Sequence, residues 1–160
     1  MTRILVAGVG NIFLGDDGFG PEVAARIDPA SLPAGVDVGD FGIAGVHLAY
    51  QLLEGYDAAV LIDALPHGGE PGQLCVFEPA PDPDVGDGPL DAHGMQPDAV
   101  LALLDVLGGG VERALVVGCQ PESLEEGIGL SPRVAASVDP AVTLVGRLVV
   151  DLEGELCAPS

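Results

Sequence analysis

Two apolar runs, RILVAGV (3–9) and AAVLIDAL (58–65), broken only by Arg3 at the start of the first and Asp63 near the end of the second, set the strongest limit on what this chain can fold into. Strands that are apolar at consecutive positions are buried on both faces, which requires helices above and below a mostly parallel sheet. The intervening segments supply the helices. GPEVAARI (20–27) puts Pro21 in a first helical turn, where its missing N–H costs nothing. VDVGDFG (36–42) alternates as a second strand, and GVHLAYQLLEG (45–55) is helical, with Val46, Ala49, Leu52 and Leu53 expected on its buried face. QLCVFEP (73–79) is a fourth strand, QPDAVLALLDVL (96–107) a helix and RALVVGC (113–119) a fifth strand. SPRVAASV opens with a serine cap at Ser131 and a proline in the first turn. DPAVTLVGRLVVDLEG repeats that start, so Pro140 separates two helices instead of kinking one. This order predicts a single α/β domain of three layers, with a five-stranded, mostly parallel twisted sheet and helices on both faces.

One connection departs from the parallel pattern. Only PHGGEPG (66–72) joins the third and fourth strands, whereas a parallel crossover needs a dozen residues or more. The fourth strand should therefore run antiparallel. It then leaves the chain at the amino edge near residue 79, and PAPDPDVGDGPLDAHG (79–94) must climb the height of the sheet, about 17–20 Å. His93, at the end of that loop, is expected at the carboxyl edge, where an α/β sheet holds its working crevice.

The loop that follows the first strand decides what that crevice can bind. In GVGNIFLGDDGFG (8–20), Gly8 and Gly10 match the first half of a dinucleotide fingerprint, but Phe13 stands at the third glycine. That glycine permits close helix–strand packing, which a phenylalanine would block. There is no lysine for a P-loop, and Asp16 and Asp17 stand where a pyrophosphate would meet the helix N-terminus. The loop is not a phosphate cradle. Its carboxylates are helix caps or metal ligands. Asp63, ending LIDAL, reaches the same edge as a loop anchor or a ligand, and His93 is a surface residue or a third ligand. Asp17, Asp63 and His93 together would suit a borderline divalent transition metal, and nickel and zinc both accept such donors. His67, in the short connection, is a spare candidate; His47 is expected to be exposed on its helix.

Charge narrows the partners. The chain carries 25 acidic residues against five basic ones, a formal net charge of −20. Nucleic acid and anionic membrane surfaces both need a basic footprint, so neither is expected. No segment approaches the roughly 18 consecutive apolar residues of a membrane span, and the N-terminal apolar run is too short for a signal peptide. Cys75, Cys119 and Cys157 are widely spaced with no CxxC, which reads as reduced thiols in a cytoplasmic protein. A Cys119–His93 nucleophile pair is disfavoured, because surrounding carboxylates raise a thiol pKa.

Taken in order, ILVAGVGNIFLGDDGFG, DFGIAG, LIDAL, the histidine of DAHG before a helix, and VVGCQPESLEEGIGLSP resemble the hydrogenase maturation endopeptidases. The matches run from residue 4 to about residue 140. That family removes a C-terminal extension from the large subunit of nickel–iron hydrogenases. The resemblance implies a phosphorylase/hydrolase-like fold and a nickel-loaded large-subunit precursor as partner and substrate. It further implies nickel brought by that precursor, and peptide-bond hydrolysis without an ordinary protease triad. The family's three metal-binding positions fall on Asp17, Asp63 and His93, and Asp40 of GDFGIAG matches a further acidic position counted with the catalytic set. Asp16 is expected to shape the loop. A monomer is expected. The competing reading is a non-enzymatic chaperone that binds nickel or the precursor on the same fold; a nucleotide-dependent oxidoreductase is disfavoured by Phe13 and the aspartate pair.

Overall fold

The computed structural model describes residues 2–79 and 97–157. Its five strands are β1 (Ile4–Val9), β2 (Val36–Gly42), β3 (Ala58–Ala64), β4 (Leu74–Phe77) and β5 (Arg113–Cys119). They form one sheet in the order β2-β1-β3-β5-β4. β1, β2, β3 and β5 are parallel, and β4 pairs with β5 antiparallel, Cys75 opposite Gly118 and Phe77 opposite Val116. The short connection therefore does dictate the direction of β4.

The helices are α1 (Phe19–Arg26), α2 (Gly45–Leu52), α3 (Pro97–Val106), α4 (Pro132–Ala135) and α5 (Val138–Cys157). On one face, Ile4, Val6, Val60 and Ile62 pack with Phe19 and Val23 of α1 and with Val138, Val145 and Val149 of α5. On the other, Leu5, Ala7, Val9 and Leu61 pack with Leu48 and Leu52 of α2 and Val100 and Leu104 of α3. Neighbouring residues of β1 thus serve opposite cores, the physical content of its uninterrupted apolar run.

Three local expectations change. The buried stripe of α2 is Gly45, Leu48, Ala49 and Leu52, at i, i+3, i+4 and i+7, while Val46 and Leu53 are exposed. α5 begins at Val138, so Pro140 sits inside its first turn, and the break from α4 falls at residues 136–137. Phe13 is 61% exposed and far from obstructing the helix–strand contact. The close approach is made by Gly20 instead: a Cβ there would lie 2.2 Å from the Ile62 carbonyl oxygen and 2.3 Å from that of Val9.

Candidate functional site

The parallel strands all end at one edge, and the chain leaves each of them in a compact loop. After β1, Gly10 adopts a left-handed φ of 141°, open to glycine alone, and its Cα lies against the Asp17 carbonyl. Asn11 follows. Its side-chain oxygen accepts from the Phe13 N–H at 2.9 Å, and its own N–H donates to Asp17 Oδ2 at 2.7 Å. A 3₁₀ turn, Gly15–Gly18, then carries both aspartates into α1.

The two aspartates have opposite surroundings. Asp16 is buried; Glu122 N–H, Ser123 N–H and the Ser131 hydroxyl donate to its Oδ2, and Ser131 N–H donates to its Oδ1, at 2.6–2.9 Å. Burial pushes its carboxyl up, but these donors outweigh burial and hold it below the ordinary value. Ser131 has the backbone of an N-cap before α4, yet its hydroxyl serves Asp16, not the helix. Asp17 is half-buried, and burial raises its carboxyl against the Asn11 N–H.

Asp63 is the penultimate residue of β3, one position beyond Ile62, which pairs with Gly8, and directly opposite Gly118 of β5. It is 9% exposed, and burial first, then the charge of Asp17, pushes its carboxyl up to about 8. Asp17 and Asp63 thus stand at the same edge, near enough for the charge of one to act on the other. Asp40 is exposed at the end of β2, level with Gly8, and its Oδ1 accepts from Gly42 N–H at 2.8 Å. The Gly42 carbonyl in turn accepts from Gly10 N–H at 2.9 Å, so the Asp40 turn is tied to the loop that holds Asp17. His93 lies outside the described residues. Among the described residues, no three His, Cys, Asp or Glu side chains converge as a metal site.

The spare candidates are occupied elsewhere. His67 Nε2 is hydrogen-bonded to the Gln73 carbonyl at 2.9 Å, and its N–H donates to Gln120 Oε1 at 2.7 Å, so it closes the β3–β4 connection. His47 is exposed on α2. The Cys119 thiol is buried, and burial and then the charge of Asp16 push it up to about 11, leaving it protonated at neutral pH.

Two residues at this edge were not foreseen in these roles. Asn11 fastens Asp17, and an asparagine directly after a glycine at a strand end is an Asx-turn signal that could have found it. Ser131 fastens Asp16, which no local signal announces, since the partners are 115 residues apart. Ile12 and Phe13 on the loop after β1, Ile43 after β2 and Ile128 between β5 and α4 are all exposed.

As a donor set, a half-buried and a buried carboxylate that repel one another suit a divalent cation, which would discharge both.

Comparison with known proteins agrees with this fold. The family model for hydrogenase maturation proteases matches residues 21–147. The hydrogenase expression/formation protein HupD of Rhodobacter capsulatus is 34% identical over 146 residues, covering 88% of this chain and 68% of its own. The hydrogenase 2 maturation protease of Escherichia coli is 32% identical over 145 residues, covering 89% and 88%. Among solved structures, the hydrogenase maturating endopeptidase HybD of Escherichia coli superposes with a TM-score of 0.76 at 30% identity, covering 94% of this chain and 93% of its own. A mixed five-stranded sheet flanked by helices, with paired acids at its carboxyl edge and relatives of this length and identity, identifies the chain as a member of the hydrogenase maturation protease family, an endopeptidase.

Proposed function

We propose that this endopeptidase removes the C-terminal extension of a nickel-loaded large-subunit precursor of a nickel–iron hydrogenase, in the cytoplasm and as a monomer, and that Asp17, Asp63 and His93 engage the nickel that the precursor brings. The observation that carries the reading is the Asp17–Asp63 pair. Asp63 is buried at the end of β3 within reach of the charge of Asp17, and a divalent ion held by both carboxylates would offset the cost of ionising them there. Nickel is then part of the substrate, and checking for it is how the enzyme tells a finished precursor from an empty one.

The neighbouring elements support this. α3 ends beside the start of β5, with Leu104 and Leu53 against Gly109, so its first residue, Pro97, points toward the carboxyl edge. His93 precedes Pro97 by four residues in the sequence. Ile12, Phe13, Ile43 and Ile128 are exposed on the loops that leave this edge, apolar surface suited to a protein substrate. A bound divalent ion supplies Lewis acidity toward a peptide carbonyl or a water. The chain's own part is to hold the scissile segment at that edge. A carboxylate there, Asp40 among the candidates, takes the proton from the attacking water. No described helix is long and apolar enough to cross a membrane.

The test is intact-mass measurement of a large-subunit precursor, with and without nickel, before and after mixing with the protein. The loaded form should lose its extension and the empty form should not. Equal trimming of both would defeat nickel-dependent recognition while leaving the peptidase assignment intact.

A further inference from the structure

Asp16 is 1% exposed, and among the described residues no basic side chain pairs with it. Its charge is satisfied instead by four donors from a single loop, the segment between β5 and α4: the N–H groups of Glu122, Ser123 and Ser131 and the Ser131 hydroxyl. Those donors come from the two ends of the loop. Its middle is held by the same stretch of chain, because Gly127 N–H donates to Phe13 O at 2.8 Å and Gly15 N–H donates to Gly127 O at 2.9 Å. Asp16 N–H completes the seam by donating to Ser123 O at 3.0 Å. The contact is tight, since a Cβ on Gly15 would come within 2.9 Å of Ser123 O.

Residues 13–16 are thus pressed against the β5–α4 loop on one side. The residue that follows, Asp17, is pinned on its other side by Asn11 N–H. We propose that Asp16 is a positioning residue for peptide hydrolysis: it fastens the β5–α4 loop to the turn carrying Asp17, and so sets where Asp17 stands relative to Asp63. The proposal rests on the reading that Asp17 and Asp63 form the working site. Asp16 itself is too enclosed to touch a substrate, so it acts through its neighbour. It also anchors the loop on which Leu124 and Ile128 are exposed.

The chemistry of an amide makes the test sharp. Asparagine offers one acceptor oxygen and an NH₂ donor, so in either orientation Asp16→Asn turns donors toward N–H groups of the loop. Ser131→Ala removes the hydroxyl donor alone, and Ser131→Thr keeps it. Val145→Ala, in the buried face of α5, is the control for stability, because it opens a cavity away from the edge. Each variant is assayed on nickel-loaded precursor well below its own Tm, with kcat and KM separated, and its aspartates are followed by carboxyl ¹³C NMR.

Asp16→Asn should lose about 100-fold in kcat, the scale of a small misplacement of a reacting group, with KM near the wild-type value. Its Asp17 carboxyl signal should move. Ser131→Ala should lose about five-fold, and Ser131→Thr should recover it. Val145→Ala should keep the wild-type kcat and Asp17 signal at a comparable Tm. Wild-type kcat in Asp16→Asn, or an equal loss in Val145→Ala, would overturn the proposal and leave Asp16 a purely structural anchor. If Asp16→Asn does not fold, the Ser131→Ala and Ser131→Thr pair decides. If wild-type protein trims no precursor, the functional reading fails separately, and the Asp17 signal still settles whether Asp16 positions it.

Discussion

Asp63 is buried at the end of β3 and faces the charge of Asp17 from the turn after β1, and together these push its carboxyl up to about 8. An unfolded chain would titrate the same group near 3.8. Between those values the folded state binds more protons than the unfolded one, so stability falls as pH rises. The slope that Asp63 adds is at most about 1.4 kcal/mol per pH unit. Denaturant unfolding of wild type and Asp63→Asn across this range should show wild type losing ground steadily to the variant toward pH 8. Parallel curves would mean that Asp63 is ionised in the free protein.

Histidine roles should separate cleanly. His93→Ala is expected to abolish trimming of loaded precursor without unfolding the domain, as are Asp17→Ala and Asp63→Ala. His67→Ala should retain activity within a few-fold, because its ring serves the Gln73 carbonyl; instead it should cost stability by about 1 kcal/mol. Trimming assays beside thermal melts decide this, and full activity in His93→Ala would remove it from the site.

Cys119→Ala should keep most of the processing activity. The thiol is buried and stays protonated at neutral pH, so it is a poor nucleophile. The cost should appear in the melt, at about 1 kcal/mol for a small core truncation. A folded variant slower by orders of magnitude would restore a thiol mechanism.

Gly20→Ala should be among the most damaging single-methyl changes in the protein. The new Cβ would meet two backbone carbonyl oxygens, of Ile62 and Val9, neither of which can turn aside. α1 must lift from the sheet, at a cost of about 3 kcal/mol or more. The turn carrying Asp17 leads directly into α1, so activity should fall further than stability accounts for. A melt and activity near wild type would show that the helix has slack the close packing does not suggest.

Much of the fold was legible because it follows from local rules. Consecutive apolar residues in 3–9 and 58–65 can only be a sheet covered on both faces, and β1 sends alternate residues into two cores as that requires. Seven residues between β3 and β4 cannot make a crossover, so β4 had to turn back. What was misread was also local: Val46 and Leu53 are as apolar as Leu48, and only the direction in which α2 meets β1 and β3 chooses between them.

The site divides the same way. The sequence alone put Asp17 and Asp63 at one edge, since one follows and the other ends a parallel strand and strand direction is shared. The resemblance assigned Asp17 to the metal set and Asp16 to the loop, but nothing in the local pattern of two adjacent, chemically identical residues said which partners each would meet. Tertiary structure decided that: a 3₁₀ turn points successive side chains in different directions, one into the donors of a loop more than 100 residues away, the other toward Asp63. The partners of a carboxylate are set by where distant backbone N–H groups arrive, and that is a property of the packed chain, not of its local pattern.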